Sequence, residues 1–211
     1  MYVPAAFEET RVEVLHALMR AHPLATLVTQ SEHGLNANHI PLQLEATPPA
    51  CGVLVGHVAR ANPVVADLAR GGELLALFHG PQAYVTPTWY ATRQETGRVV
   101  PTWNYAVVHA YGVARLVDDR AWLRAKLDAL TAEHEARSPA PWALAEAPAD
   151  FTERLLGAII GFELVITRLI GKWKMSQNQP PHNRAAVAQG LRAAGADAIA
   201  GLVEQAAKAP D

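Results

Sequence analysis

Apolar residues recur along the chain in two rhythms. At Val12, Leu15, Leu18 and Met19 they fall three or four positions apart, the spacing of one helix face. That pattern predicts a helix over residues 8–22, ended by Pro23, which lacks an amide donor. Beyond it the period shortens. "LATLVTQ" (24–30), "LNANHIPLQLEA" (35–46) and "GVLVGHVA" (52–59) read as strands, the first two joined by the turn "SEHG" (31–34). "ELLALFHG" (73–80), "AYVTPTWY" (83–90), the run 100–117 and "AIIGFELVITRLIG" (158–171) continue the series, with "ATRQETGR" (91–98) as a polar loop. Helices break in between. One covers 60–72, with Asn62 as N-cap, Pro63 at its first position and Gly71 at its stop. Asp118 or Asp119 caps another over 121–137. A short helix follows at about 149–157, and an Ala-rich helix or helix pair at about 183–208.

Roughly seven short strands, mostly hairpin-connected, with helices that do not alternate with them, argue for a mainly β fold with peripheral helices. The expected architecture is an antiparallel barrel, in one domain over residues 1–211, and not a doubly wound parallel sheet. "PPA" and "SPAPWALAEAPAD" are Pro/Ala-rich connectors too short to link domains.

Composition narrows the class. Half the residues are apolar, which excludes global disorder. Eighteen basic against twenty acidic residues leave a net charge of −2, with no overall pull toward nucleic acid or an anionic membrane. The C-terminal segment offers only Arg184, Arg192 and Lys208 as cations and reads as an amphipathic cover, which argues against direct DNA binding. The lone Cys51 forms no intrachain disulfide and reads as a small apolar residue. The longest apolar run, 155–166, is too short for a span and contains Glu163. With no leader-like start, a cytoplasmic protein without a membrane segment is the expectation.

The candidate chemistry is concentrated. In "GHVARANP" (56–63), Arg60 lies just before a capped helix start, a combination suited to an oxyanion. In "GKWKMSQN" (171–178), strict alternation would put Lys172, Lys174 and Ser176 on one face and Trp173 and Met175 on the other, with Gln177 and Asn178 following. An edge strand with solvent-facing lysines is the competing reading. Aromatic residues are only 7% of the chain, yet "TPTWY" (86–90) and "VPTWNY" (100–105) crowd Trp89, Tyr90, Trp103 and Tyr105 beside Thr86, Thr88, Thr102 and Asn104. These two segments are expected to face each other across a hairpin, filling a core or walling a flat, polar-edged ligand. His39 and His57 stand in consecutive strands and could meet. The nine histidines show no zinc spacing, so no metal is expected. Nucleophile elbows, phosphate loops and paired carboxylates are absent from the sequence.

"MYVPAAF", "GLNANHIPL", "GHVARANP", "FHGPQAYVTPTWY", "VVPTWNY" and "GKWKMSQN" resemble, in order and from residue 1 to about 191, the PaiB-type FMN-binding negative transcriptional regulators. The resemblance implies a flavin-binding split β-barrel related to pyridoxamine-phosphate-oxidase-like proteins. It also implies a homodimer with FMN at the interface. "NANHIPL", with Asn38, His39, Ile40 and Pro41, would run under the flavin ring. "GHVARANP", with His57, Arg60 and Asn62, would face the phosphate. "KWKMSQN", with Lys172, Lys174, Ser176 and Gln177, would reach the site from one subunit or its partner. Trp89 and Trp103 would wall the flavin ring, and Asn104 would meet its polar edge. Relatives continue "SQN" with an arginine and place an acid before the next one; this chain has Gln179 and Asn183 there.

Three functions remain open at this level: a flavin-linked negative regulator, an FMN-dependent oxidoreductase without DNA contact, and a module for another planar ligand such as haem or pyridoxal phosphate. In the oxidoreductase reading His39, His57 and Tyr90 are the proton donors or substrate orienters.

Overall fold

The computed structural model describes residues 1–46 and 51–206. The "PPA" connector and Lys208 lie outside the described residues. In chain order the elements are β1 (Glu8–Glu9), α1 (Val12–Ala21), β2 (Leu24–Ser31), β3 (Gly34–Pro41), β4 (Gln43–Glu45), β5 (Val53–Ala59), α2 (Val64–Ala69) and β6 (Glu73–Val85). Then come α3 (Thr92–Thr96), β7 (Thr102–Val117), α4 (Arg120–Glu135), α5 (Ala149–Ala158), β8 (Ile159–Lys174), α6 (Pro181–Ala193) and α7 (Asp197–Ala206). The strands order as β3-β2-β6-β7-β8-β5-β4, with β1 beside β8. Every strand pair of known register is antiparallel.

Four boundaries depart from the periodicity. Glu8 and Glu9 do not begin the first helix; they pair with Lys172 and Gly171. The expected strand 35–46 divides at Leu42, because Pro41 cannot donate to a ladder and the Leu42 amide turns to the Pro23 carbonyl instead (2.9 Å). Residues 73–90 form one strand and a single 3-10 turn, Pro87–Trp89, initiated by the Thr86 hydroxyl accepting from the Thr88 amide. The polar loop 91–98 holds the short helix α3, stopped by Gly97 in the left-handed region (φ 63°).

The chain forms two compact units. One comprises Met1–His22, Phe78–His109 and the residues from Ile170 on. Here α1 lies against strand backbone: a Cβ on Gly171 would come within 2.3 Å of Leu15 and 2.7 Å of the Glu9 carbonyl, so only glycine permits that approach. Leu15, Leu18, Met19, Phe78, Val108, Met175 and Leu191 are buried in its core. The other comprises Pro23–Leu77 and Ala110–Leu169. The β2–β3 hairpin runs in unbroken register from Ser31↔Gly34 to Leu24↔Pro41, and β5 pairs with β8 from Val53↔Val165 to Ala59↔Ile159. Leu27, Leu54, Leu68, Leu123, Phe162 and Leu164 form its core. Burying such side chains contributes roughly 1.5–3 kcal/mol each. No helix among the described residues is long and apolar enough to cross a membrane.

Candidate functional site

The sequence candidates divide between the two units. In the unit that holds β3, β5 and α2, Asn62 places its Oδ1 under the Val64 amide (3.0 Å), which satisfies one orphan donor of α2. Its Nδ2 donates to Asn38 Oδ1 (3.2 Å). The Asn38 Nδ2 is buried and has no hydrogen-bond partner among the described residues. A buried amide donor left unpaired costs about 1–3 kcal/mol, so it marks a place where an external acceptor would be stabilised. Ile40 is buried and the neighbouring Pro41 is exposed. His39 lies opposite Thr26, whose hydroxyl is 3.1 Å from its Nδ1.

His39 and His57 are not cross-strand partners. β3 pairs with β2, and β5 pairs with β4 and β8, so Gly161 stands opposite His57. Burial pushes the His57 pKa down and keeps the ring neutral.

Arg60 is already engaged. Both terminal nitrogens donate to the Asp118 carboxylate, one at 2.9 Å, and Nε donates to the Gly157 carbonyl at 3.0 Å. The hydrogen bonds that the guanidinium donates to Asp118 raise its pKa, and the same pair lowers that of Asp118. The sequence marked Arg60 as a phosphate cation and gave no sign of this counter-charge. Two of its five N–H groups remain for another acceptor.

In the other unit, Lys172 is nearly buried. It donates to the Tyr2 carbonyl (3.1 Å) and sits 5.8 Å and 5.4 Å from the Tyr2 and Tyr105 ring centroids. Strict alternation over Lys172, Lys174 and Ser176 does not hold: β8 ends at Lys174 and Ser176 has φ 61°. Gln177 closes that strand end, accepting from the Met175 amide and donating to the Trp173 carbonyl, both at 2.6 Å. Its amide is used within its own turn. Lys174 donates to the Thr102 hydroxyl and to the Trp103 carbonyl (2.9 Å). Asn104, fully buried, donates to Ser176 Oγ at 3.0 Å.

Lys174, Asn104 and Ser176 line a cavity of about 160 Å³, together with Tyr90, Arg98 and Thr102. Burial pushes the Tyr90 pKa up and that of Lys174 down. The sequence reading passed over Arg98. It stands alone at the end of a polar loop, with no periodicity to single it out.

The aromatic segments do not face each other as a hairpin of Trp89 and Tyr90 against Trp103 and Tyr105. Pro87 turns the chain out of β6 first, and it is Tyr84 that meets Trp103, edge to face at 6.0 Å. Trp103 is half exposed. Trp89 packs on α6, where a Cβ on Gly190 would lie 2.4 Å from the indole. The departures at Gln179 and Asn183 belong to one contact: Asn183 Nδ2 donates to Gln179 Oε1 (3.2 Å) and to Thr92 Oγ1 (2.9 Å), and its Oδ1 accepts from the Thr92 amide (3.2 Å). A neutral amide pair anchors α3.

A family model described as "Putative FMN-binding domain" matches residues 1–168. An uncharacterized protein of Emericella nidulans is 34% identical over 249 aligned residues, covering 100% of this chain and 99% of that protein. The protease synthase and sporulation protein PAI 2 of Bacillus subtilis is 28% identical over 179 residues, 85% of this chain and 83% of its own length. Among solved structures, the FAD and heme binding protein from Mycobacterium smegmatis aligns with a TM-score of 0.62 at 21% identity, over 85% of this chain and 79% of that one.

Proposed function

The chain belongs to the FMN-binding domain family and has the antiparallel split-barrel fold of flavin-binding proteins, and from this we propose that it is a homodimeric FMN-binding protein that acts as a flavin-linked negative regulator without touching DNA itself. FMN is the cofactor that the family assigns. The fit rests on one observation: the unpartnered, buried Asn38 amide beside Asn62. A flavin ring edge carries carbonyl and nitrogen acceptors that such a donor satisfies. His39 and the neutral His57 add polar groups to the same unit, with Ile40 and Pro41 as its apolar neighbours. Arg60 offers its two remaining N–H groups to the phosphate. When bound, FMN supplies a centre for one- and two-electron chemistry.

Pairing of many surface cations supports the indirect reading of regulation. Arg11, Arg60, Arg70, Arg115, Arg120, Arg124, Arg168 and Arg192 each form an ion pair with a carboxylate. A nucleic-acid face needs cations free to replace phosphate counterions, and these are neutralised in place. The likeness to the protease synthase and sporulation protein PAI 2 supports a role in controlling such processes. The second reading, an FMN-dependent oxidoreductase, needs no nucleic-acid face at all.

Purified protein should be yellow, release FMN on denaturation and sediment as a dimer. A colourless monomer that takes up no FMN in equilibrium dialysis overturns the reading. Regulation is separated from redox turnover by two measurements. A low-salt gel shift should show no sequence-selective DNA binding, and rapid flavin bleaching by NADH or NADPH with turnover on an acceptor would favour the oxidoreductase.

A further inference from the structure

The cavity above Asn104 and Ser176 has properties that a flavin ring does not require. Among its lining residues two are cations, Lys174 and Arg98, and none is acidic. Neither cation forms an ion pair among the described residues, whereas Arg60 is paired with Asp118. Lys174 uses two of its three N–H groups on Thr102 and Trp103, which leaves one donor. Tyr90 and Asn178 bring a phenol and an amide to the same wall.

The floor is held in an unfavourable conformation. Ser176 is the one non-glycine among the described residues with a positive φ, which costs roughly 1–2 kcal/mol. Its hydroxyl is fixed on the buried Asn104 amide. Strain of this kind persists where surrounding structure enforces it, and it gathers at ligand sites. The volume, about 160 Å³, is several times the roughly 30 Å³ share of one water. It is well below the roughly 300–1,000 Å³ of a cleft that takes a whole cofactor.

We propose that this cavity binds a small oxyanion, a phosphate or carboxylate group of a ligand other than the flavin, through Lys174 and Arg98. Lys174 is the inner cation and Arg98, exposed at the mouth, the outer one. The inference stands on the cavity alone and does not depend on FMN binding.

The test is calorimetric titration of the full-length protein with inorganic phosphate and, separately, acetate at low ionic strength, with and without FMN. Saturable binding of at least one anion is expected in both conditions. Lys174→Met and Arg98→Gln should each weaken it by about tenfold or more, the size of a lost charge-assisted hydrogen bond. FMN affinity of Arg98→Gln should stay within about twofold, the ratio expected when no such bond is lost. Arg98 is exposed, so its variant folds even if that of Lys174 does not. No saturable anion binding, or binding unchanged in Arg98→Gln and in a folded Lys174→Met, overturns the proposal. So does an FMN affinity that falls to the riboflavin value in either variant, because the cavity would then serve the flavin's own phosphate.

Discussion

Asn104 and Ser176, 72 positions apart, share a buried hydrogen bond of 3.0 Å, and Ser176 makes it from a left-handed backbone conformation. The two effects can be separated by substitution. Ser176→Ala leaves the Asn104 amide buried without its partner and keeps the strained φ, so it should cost about 1–3 kcal/mol. Ser176→Gly loses the same hydroxyl but relieves the backbone, so it should be less destabilising than alanine. Urea unfolding of the three proteins measures this. A glycine variant less stable than the alanine variant would show that the backbone is not strained there.

Trp89 and Gly190 form a close contact of the helical cover. Because an added Cβ would meet rigid indole atoms at 2.4 Å, Gly190→Ala should destabilise the protein by about 1–3 kcal/mol through overpacking. The double variant with Trp89→Leu should recover part of that loss. Additive losses in thermal or urea unfolding would show that the indole is not what excludes a side chain.

Asp118 holds Arg60 through both terminal nitrogens, and under the proposed function this pair limits how much positive charge Arg60 presents to the FMN phosphate. Arg60→Gln should raise the FMN dissociation constant by about tenfold or more and leave riboflavin, which has no phosphate, unaffected. Asp118→Asn should act in the opposite direction and tighten FMN alone. Fluorescence titration with both flavins decides. An Arg60→Gln effect equal for the two flavins removes the guanidinium from the phosphate.

His109 carries a pH dependence of fixed sign. Burial, together with the positive charges of the N-terminus and His79, lowers its pKa from 6.5 to about 4. Between those values the unfolded chain holds the imidazole proton and the folded chain does not. Stability therefore falls as pH drops from about 6.5 to about 4, and returns when pH is raised. The stability of the wild type relative to His109→Gln, from urea midpoints, should decline across that window. A constant difference would mean that the ring titrates normally.

Local chemistry made much of the fold legible. The spacing of Leu15, Leu18 and Met19, the alternation through β2 and much of β7, and the Asp119 cap of α4 all depend on neighbours within one turn or one pleat. Two of the failures were also local in cause: Pro41 and Pro87 each stop a ladder that the hydrophobic pattern alone would continue, whereas Glu8 and Glu9 were drawn into a strand by residues 171 and 172. The Asn62 cap was readable for the same reason, whereas the bond from Asn62 to Asn38, and the unsatisfied amide beyond it, were not.

By itself the sequence determined a β-rich chain with peripheral helices, its caps and breaks, and motifs long enough to place it in a flavin-binding family. These properties are set by near neighbours and by the order of motifs along the chain. Only the tertiary structure decided how the charges are spent. Arg60 meets Asp118 across 58 positions and Lys172 meets Tyr2 across 170, while Lys174 and Arg98 meet no acid among the described residues and border a cavity. Strand pairing brings such groups together from distant points, and electrostatic energy depends on separation in space, for which no periodicity along the chain is a guide.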